Sequence, residues 1–159
     1  MRRKEEEMRL GGCALVALAA ILAGCGGTNE PAKLLRDGVY RYELSEQHLL
    51  DNGIGLQQAK DESGDHAITL DGGSFVDRWR SSGGRGGSCG GTYTAEGSTV
   101  TFRWTYGCFG DWTMRYTVDG ATVTWADIDV LPPYDDEEEQ KVAEVFNSVP
   151  WTRVGDPPS

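Results

Sequence analysis

Between residues 93 and 125 apolar and polar side chains alternate, and the alternating unit occurs twice. Residues 93–102 are echoed by residues 116–125: Tyr93 matches Tyr116, Glu96-Gly97 matches Asp119-Gly120, Val100 matches Val123, and Phe102 matches Trp125. Val100, Phe102 and Trp104 share one face, with Thr99, Thr101 and Arg103 on the other. Met114, Tyr116 and Val118 alternate in the same way against Thr113, Arg115 and Thr117. A period of two with one wet face predicts antiparallel strands. An acidic residue followed by Gly supplies the positive φ of a tight hairpin turn. Two such hairpins in series make a meander.

The same reading extends outward. Residues 38–44 predict a first strand, with Tyr40, Tyr42 and Leu44 on one side. Ser45 then suits the N-cap of a short helix over 46–51, ended by Asn52-Gly53. Residues 66–70 and 74–80 predict a hairpin around Asp71-Gly72-Gly73. Pro132-Pro133 stops the sheet, and Asp135 is placed to cap a helix. The carboxylates of Asp136, Glu137, Glu138 and Glu139 would favour the positive end of its dipole, and Val142, Val145 and Phe146 give it an apolar face. Residues 150–154 return as a last short strand. The expected fold is all-β, with about eight strands, one short helix after the first strand and one before the last. Sheets of this kind remove their edges by closing, so a small antiparallel up-and-down barrel of lipocalin-like form is expected, the last strand pairing with the first. An open sandwich is the alternative.

The N-terminal segment has a different pattern. Arg9 precedes an apolar run over 10–23 that contains only small Gly11, Gly12 and Cys13 as interruptions. It is too short for a ~30 Å hydrocarbon core, which needs about 20 apolar residues, and it suits a secretory signal. Leu22-Ala23-Gly24-Cys25 at its end reads as a lipobox, in which the Cys25 thiol accepts diacylglycerol and becomes the mature N-terminus. A second acyl group, such as palmitate, makes such an anchor stable. The expected division is a signal peptide over 1–24, a flexible tether over 25–33, a barrel domain over 34–155 and a tail over 156–159. The expected location is the extracytoplasmic face of the cell membrane, held by lipid. Glu5, Glu6 and Glu7 fit an n-region poorly, and a start at Met8 instead of Met1 gives a cleaner signal.

Composition narrows the function classes. The net charge is −10, no basic stripe runs along the chain, and Arg78, Arg80 and Arg85 form a local basic patch only. A nucleic-acid partner is therefore not expected. With Cys13 removed and Cys25 acylated, Cys89 and Cys108 are left in an oxidising compartment, where a disulfide is expected. A metal pair and reactive thiols compete with that reading, but His48 and His66 lack ligand spacing to either Cys. No metal or cofactor is expected. Nucleophile-elbow, zinc-protease and Walker motifs are missing, so an enzyme is not expected either.

The interior positions carry the candidate site. Tyr40, Tyr42, Phe75, Trp79, Phe102, Trp104, Tyr116 and Trp125 point inward by parity, either filling a small barrel or lining a ligand space. Asp77 lies between Phe75 and Trp79 on the inward face, and Asp127 and Asp129 continue the parity of Val123 and Trp125. A buried lone carboxylate is costly, so each is either solvated at a rim or paired with a cation or ligand. The candidate ligand-binding set is Tyr42, Asp77, Trp79, Trp104, Trp125 and Asp127. Residues 83–88, rich in Gly, suggest a mobile loop beside the disulfide.

Residues 37–44, 116–120, Trp125-Ala126-Asp127 and 149–155 together resemble a lipocalin-like domain of secreted proteins in high-GC Gram-positive bacteria. The resemblance covers most of the chain after Leu34. In that family the domain sometimes follows the solute-binding domain of a transport system, which makes such a system the expected protein partner, and the outer leaflet of a single cytoplasmic membrane the expected site. The two expectations for function are a monomeric, membrane-anchored module that captures a small amphipathic or cationic molecule, and a filled barrel serving envelope structure or protein interaction.

Overall fold

The computed structural model describes residues 34–108 and 110–159. The expected signal peptide over 1–24, the expected tether over 25–33 and Cys25 lie outside the described residues.

Eight alternating segments become eight strands, each antiparallel to its neighbours. They are β1 (Gly38–Leu44), β2 (Gly64–Asp71), β3 (Ser74–Arg80), β4 (Gly86–Glu96), β5 (Thr99–Tyr106), β6 (Trp112–Asp119), β7 (Thr122–Val130) and β8 (Trp151–Gly155). Each pairs with the next in sequence, and β8 returns to β1 with Tyr40 opposite Arg153, so the sheet is a closed up-and-down barrel. Closure leaves no free edge. The hairpin turns carry Gly97 and Gly120 at φ of +61° and +60°, as the echoed acidic-Gly pairs require.

The two ends of the barrel differ. Tight turns at 72–73, 97–98 and 120–121 close one end. Tyr40, Leu70, Val100, Tyr116 and Val123 are buried in the main core cluster there. The other end carries the longer connections. These are α1 (Glu46–Asp51) and α2 (Leu56–Glu62) between β1 and β2, the 81–85 and 107–111 segments, and α3 (Glu137–Phe146) between β7 and β8. Leu44, Leu49, Ile54, Ala59, Val145 and Phe146 form a second cluster that joins the three helices to the end of β1.

Several expectations need correction. The α2 helix was not foreseen: its Leu56 is 56 % exposed and Ala59 is its one buried residue, so it has no apolar stripe to read. The cap of α3 is Asp136, one residue later than expected; its Oδ1 accepts from the backbone N–H of Glu138 and Glu139 at 3.1 and 2.9 Å. The Gly-rich 83–88 stretch is not all loop, because Gly86, Gly87 and Ser88 pair with Arg80, Trp79 and Arg78 at the start of β4. Cys89 and Cys108 are bridged, with Cα atoms 5.5 Å apart, which ties the 107–111 segment to β4.

The last correction concerns β7. Thr113 faces Asp129, but Arg115 faces Ala126, so a bulge inserts one extra residue into β7. Asp127 takes up the irregularity at φ +47°. Parity flips beyond it: Ile128 and Val130 turn inward, and Asp127 and Asp129 turn out to solvent.

Candidate functional site

The site begins with strand register. Tyr42 on β1 is opposite His66 on β2, and His66 is opposite Trp79 on β3. All three are on inward positions, so their rings stack across the sheet. Tyr42 and His66 have centroids 4.6 Å apart with planes 17° from parallel. Trp79 continues the stack beyond His66 at 6.1 Å and 14°. Trp151 of β8 extends it on the other side of Tyr42, at 5.2 Å and 9°. Four rings thus form a ladder along the wall at the helical end.

One layer further in, Asp77 sits on β3 opposite Ile68 of β2 and Cys89 of β4. It is 6 % exposed, and His66 is 2 % exposed. The Tyr42 hydroxyl donates to Asp77 Oδ2 at a long 3.4 Å. His66 Nδ1 is 3.6 Å from the same oxygen, beyond hydrogen-bond length. Asp77 Oδ1 is buried with no hydrogen-bond partner among the described residues, and so is His66 Nδ1. The other ring nitrogen, His66 Nε2, is 2.9 Å from the Glu62 carbonyl oxygen. A carbonyl only accepts, so Nε2 carries the proton. Nδ1 faces the Asp77 carboxylate. Burial, and then the adjacent Asp77, push the Tyr42 phenol well above its ordinary range, which keeps it a neutral donor.

These groups border a cavity of about 280 Å³ inside the barrel at its helical end. Phe102, Trp104, Trp112 and Met114 on β5 and β6 form the wall opposite β1 and β2. Glu62 of α2 and Glu139, Val142 and Phe146 of α3 border it from the helices, and Cys108 lies at its edge. Burial raises the carboxyls of both Glu62 and Glu139 above their ordinary range. The described lining contains three carboxylates and no Lys or Arg. Among the described residues the indole N–H groups of Trp104, Trp112 and Trp151 are buried without an acceptor. The site thus has an unmet carboxylate oxygen on β3, with unmet indole donors on the opposite wall at Trp104 and Trp112 and beside Tyr42 at Trp151. Among the described residues no three His, Cys, Asp or Glu side chains cluster so as to hold a metal ion.

No family model, curated protein or solved structure matches this chain. The cavity's own geometry is what speaks to its use.

Of the six candidate ligand-binding residues, Tyr42, Asp77, Trp79 and Trp104 line the cavity. Trp125 does not. It packs edge-on against Trp151 at 4.4 Å and against Phe102 at 6.3 Å, within the core beside the cavity. Asp127 is outside the barrel altogether, exposed and ion-paired with Arg115. Sequence reasoning missed His66, Glu62, Trp112, Glu139 and Trp151. His66 shares the inward parity of Ile68 and Leu70, so alternation alone could have found it. Glu62 belongs to the helix that left no periodic signal.

Proposed function

We propose that this protein is a membrane-anchored, extracytoplasmic binding protein that takes a small amphipathic or cationic molecule into the helical end of its barrel. One observation carries the reading: a cavity of about 280 Å³ lined by Asp77, whose carboxylate has a buried oxygen with no partner among the described residues. An apolar cavity of roughly 150 Å³ admits benzene, so this one has room for a ring with a polar arm. Ligand sites combine mostly apolar walls with a few placed polar groups, as Asp77 and His66 are placed among aromatic rings. The lipobox at Cys25 supports the anchored, extracytoplasmic part of the reading, and the resemblance to lipocalin-like secreted domains agrees with it.

Binding rather than conversion is the proposed role. Apart from the neutral Tyr42 phenol, the described lining offers no hydroxyl or free thiol to act as a nucleophile. The filled-barrel alternative accounts for the turn end but not for the helical end, where apolar side chains in place of Asp77 and His66 would remove unmet hydrogen bonds.

Native mass spectrometry of the full chain, purified in mild detergent from its own membrane, tests the proposal. A discrete small-molecule adduct, lost on denaturation, is the expected result. A barrel that is consistently bare, and takes up no member of an amphipathic compound library, would overturn it. A Cys25→Ser variant recovered in the soluble fraction would show that the anchor depends on that thiol; unchanged membrane retention would remove the lipid from the proposal.

A further inference from the structure

The reading above leaves the chemistry of the ligand open, and the cavity specifies it further. Asp77 Oδ1 is a buried acceptor with no donor among the described residues. Asp77 and His66 both border the cavity, and Asp77 Oδ2 is 3.6 Å from His66 Nδ1. A ligand group that donates a hydrogen bond would satisfy the open carboxylate oxygen. A buried carboxylate is further stabilised when its partner is positive. The surrounding charge agrees: Glu62 and Glu139 add carboxyls to the border, and no Lys or Arg opposes them among the described lining residues. Tyr42, Trp79 and Trp151 border the same cavity and supply apolar contact for a flat body.

Resting on the binding-protein reading, we propose that this cavity recognises an organic cation that carries N–H donors, a protonated primary or secondary amine or an amidinium, on a flat apolar body. An anion would face three carboxyl groups with no Lys or Arg among the described lining residues. A quaternary ammonium would offer no N–H to Asp77 Oδ1.

Isothermal titration of the full chain in detergent tests this with three probes that share one phenethyl body: phenethylamine, its N,N,N-trimethyl derivative and 2-phenylethanol. Phenethylamine is expected to bind at least tenfold more tightly than either of the others. In Asp77→Asn that preference should fall to within about twofold, because the charge is gone while the shape is kept. Equal or tighter binding of the trimethyl compound or of 2-phenylethanol by the wild-type protein would overturn the N–H cation inference and leave the cavity as a binding site. Binding of none of the three at millimolar concentration would overturn the inference together with the reading beneath it. If Asp77→Asn does not fold, the wild-type ratio alone decides.

Discussion

His66 Nδ1 stands 3.6 Å from Asp77 Oδ2 inside the barrel, both side chains almost wholly sealed from solvent. Neither atom completes a good hydrogen bond, and Asp77 Oδ1 has no partner among the described residues. Such a pair costs stability, because a buried polar group left unmet costs about 1–3 kcal/mol. Replacement of buried charge by an apolar side chain of fitting volume is often stabilising. Leu is longer than Asp, and the cavity beside residue 77 has room for it. Asp77→Leu is therefore expected to raise the unfolding free energy by about 1–2 kcal/mol in urea denaturation while abolishing binding of an amine probe. A loss of stability instead would make Asp77 a structural anchor.

The bridge between Cys89 and Cys108 makes a second prediction. It joins residues 19 apart in sequence and ties the 107–111 segment, at the cavity edge, to β4. Cross-linking a loop of this size stabilises by roughly 3 kcal/mol. The Cys89→Ala/Cys108→Ala double variant should lose about that much in urea denaturation, and reductant should bring the wild-type protein to a similar midpoint. Amine-probe affinity should fall in parallel, since Cys108 borders the cavity. Full stability after reduction would show that β4 and β5 hold the segment without the bridge.

How much of this was legible in the chain depended on periodicity. The strands at 99–104 and 113–118 have a wet and a dry face, so alternation located them and implied the meander. Closure followed from the number of strands and from a last strand able to meet the first. The bulge in β7 was invisible, because the extra residue is accommodated where Thr113 and Arg115 pair with Asp129 and Ala126. Asp127 and Asp129 were carried inward on a parity that the bulge reverses. The cavity was half legible. Parity brought Tyr42, Asp77, Trp79 and Trp104 to the interior, but whether aromatic rings fill a barrel or surround a space depends on its two ends. Here Tyr40, Tyr116 and Val123 pack the turn end, while the helices cover the other through contacts as sparse as Ala59. So short an apolar signal cannot announce a helix.

Glu62 carries a third prediction, one that depends on pH. Burial raises its carboxyl above the ordinary value of 4.5; Asp77 and Asp61 reinforce the shift, and His66 opposes it. The native protein therefore retains a proton that the unfolded chain has released, in the interval just above that ordinary value. Through that interval stability falls as pH rises. Glu62→Gln removes the titration and the buried charge. The variant should melt a few degrees higher than wild type at about pH 7, with the gap closing as pH falls below the ordinary carboxylate range of roughly 4. The same change should weaken phenethylamine severalfold, since it removes a negative charge from the cavity border. A melting difference independent of pH would show that packing, not ionisation, sets the effect.

The fourth prediction tests whether barrel closure depends on one close approach of backbone to backbone. Between Gly90 and Gly91 the pairing of β4 with β5 shifts register, so that Gly90 faces Tyr106 and Gly91 faces Trp104. A Cβ at Gly91 would overlap the Arg103 carbonyl and crowd the Trp104 Cα. Those are backbone atoms of the neighbouring strand and cannot rotate away as a side-chain tip would. The extra residue of this irregularity, Thr105, is on β5, opposite the point where β4 follows Cys89. Glycine in a strand otherwise weakens it, so its place here is explained by the approach it permits. Gly55 serves as the comparison: it precedes α2, and a Cβ there would meet nothing within 4 Å. Gly91→Ala is expected to cost more than about 3 kcal/mol or to prevent folding, whereas Gly55→Ala should fall within about 0.5 kcal/mol of wild type. Urea denaturation followed by tryptophan fluorescence reads both. Equal stability of the two variants would mean that β4 and β5 tolerate a side chain between them, and that the shift at Gly90 and Gly91 does not depend on glycine.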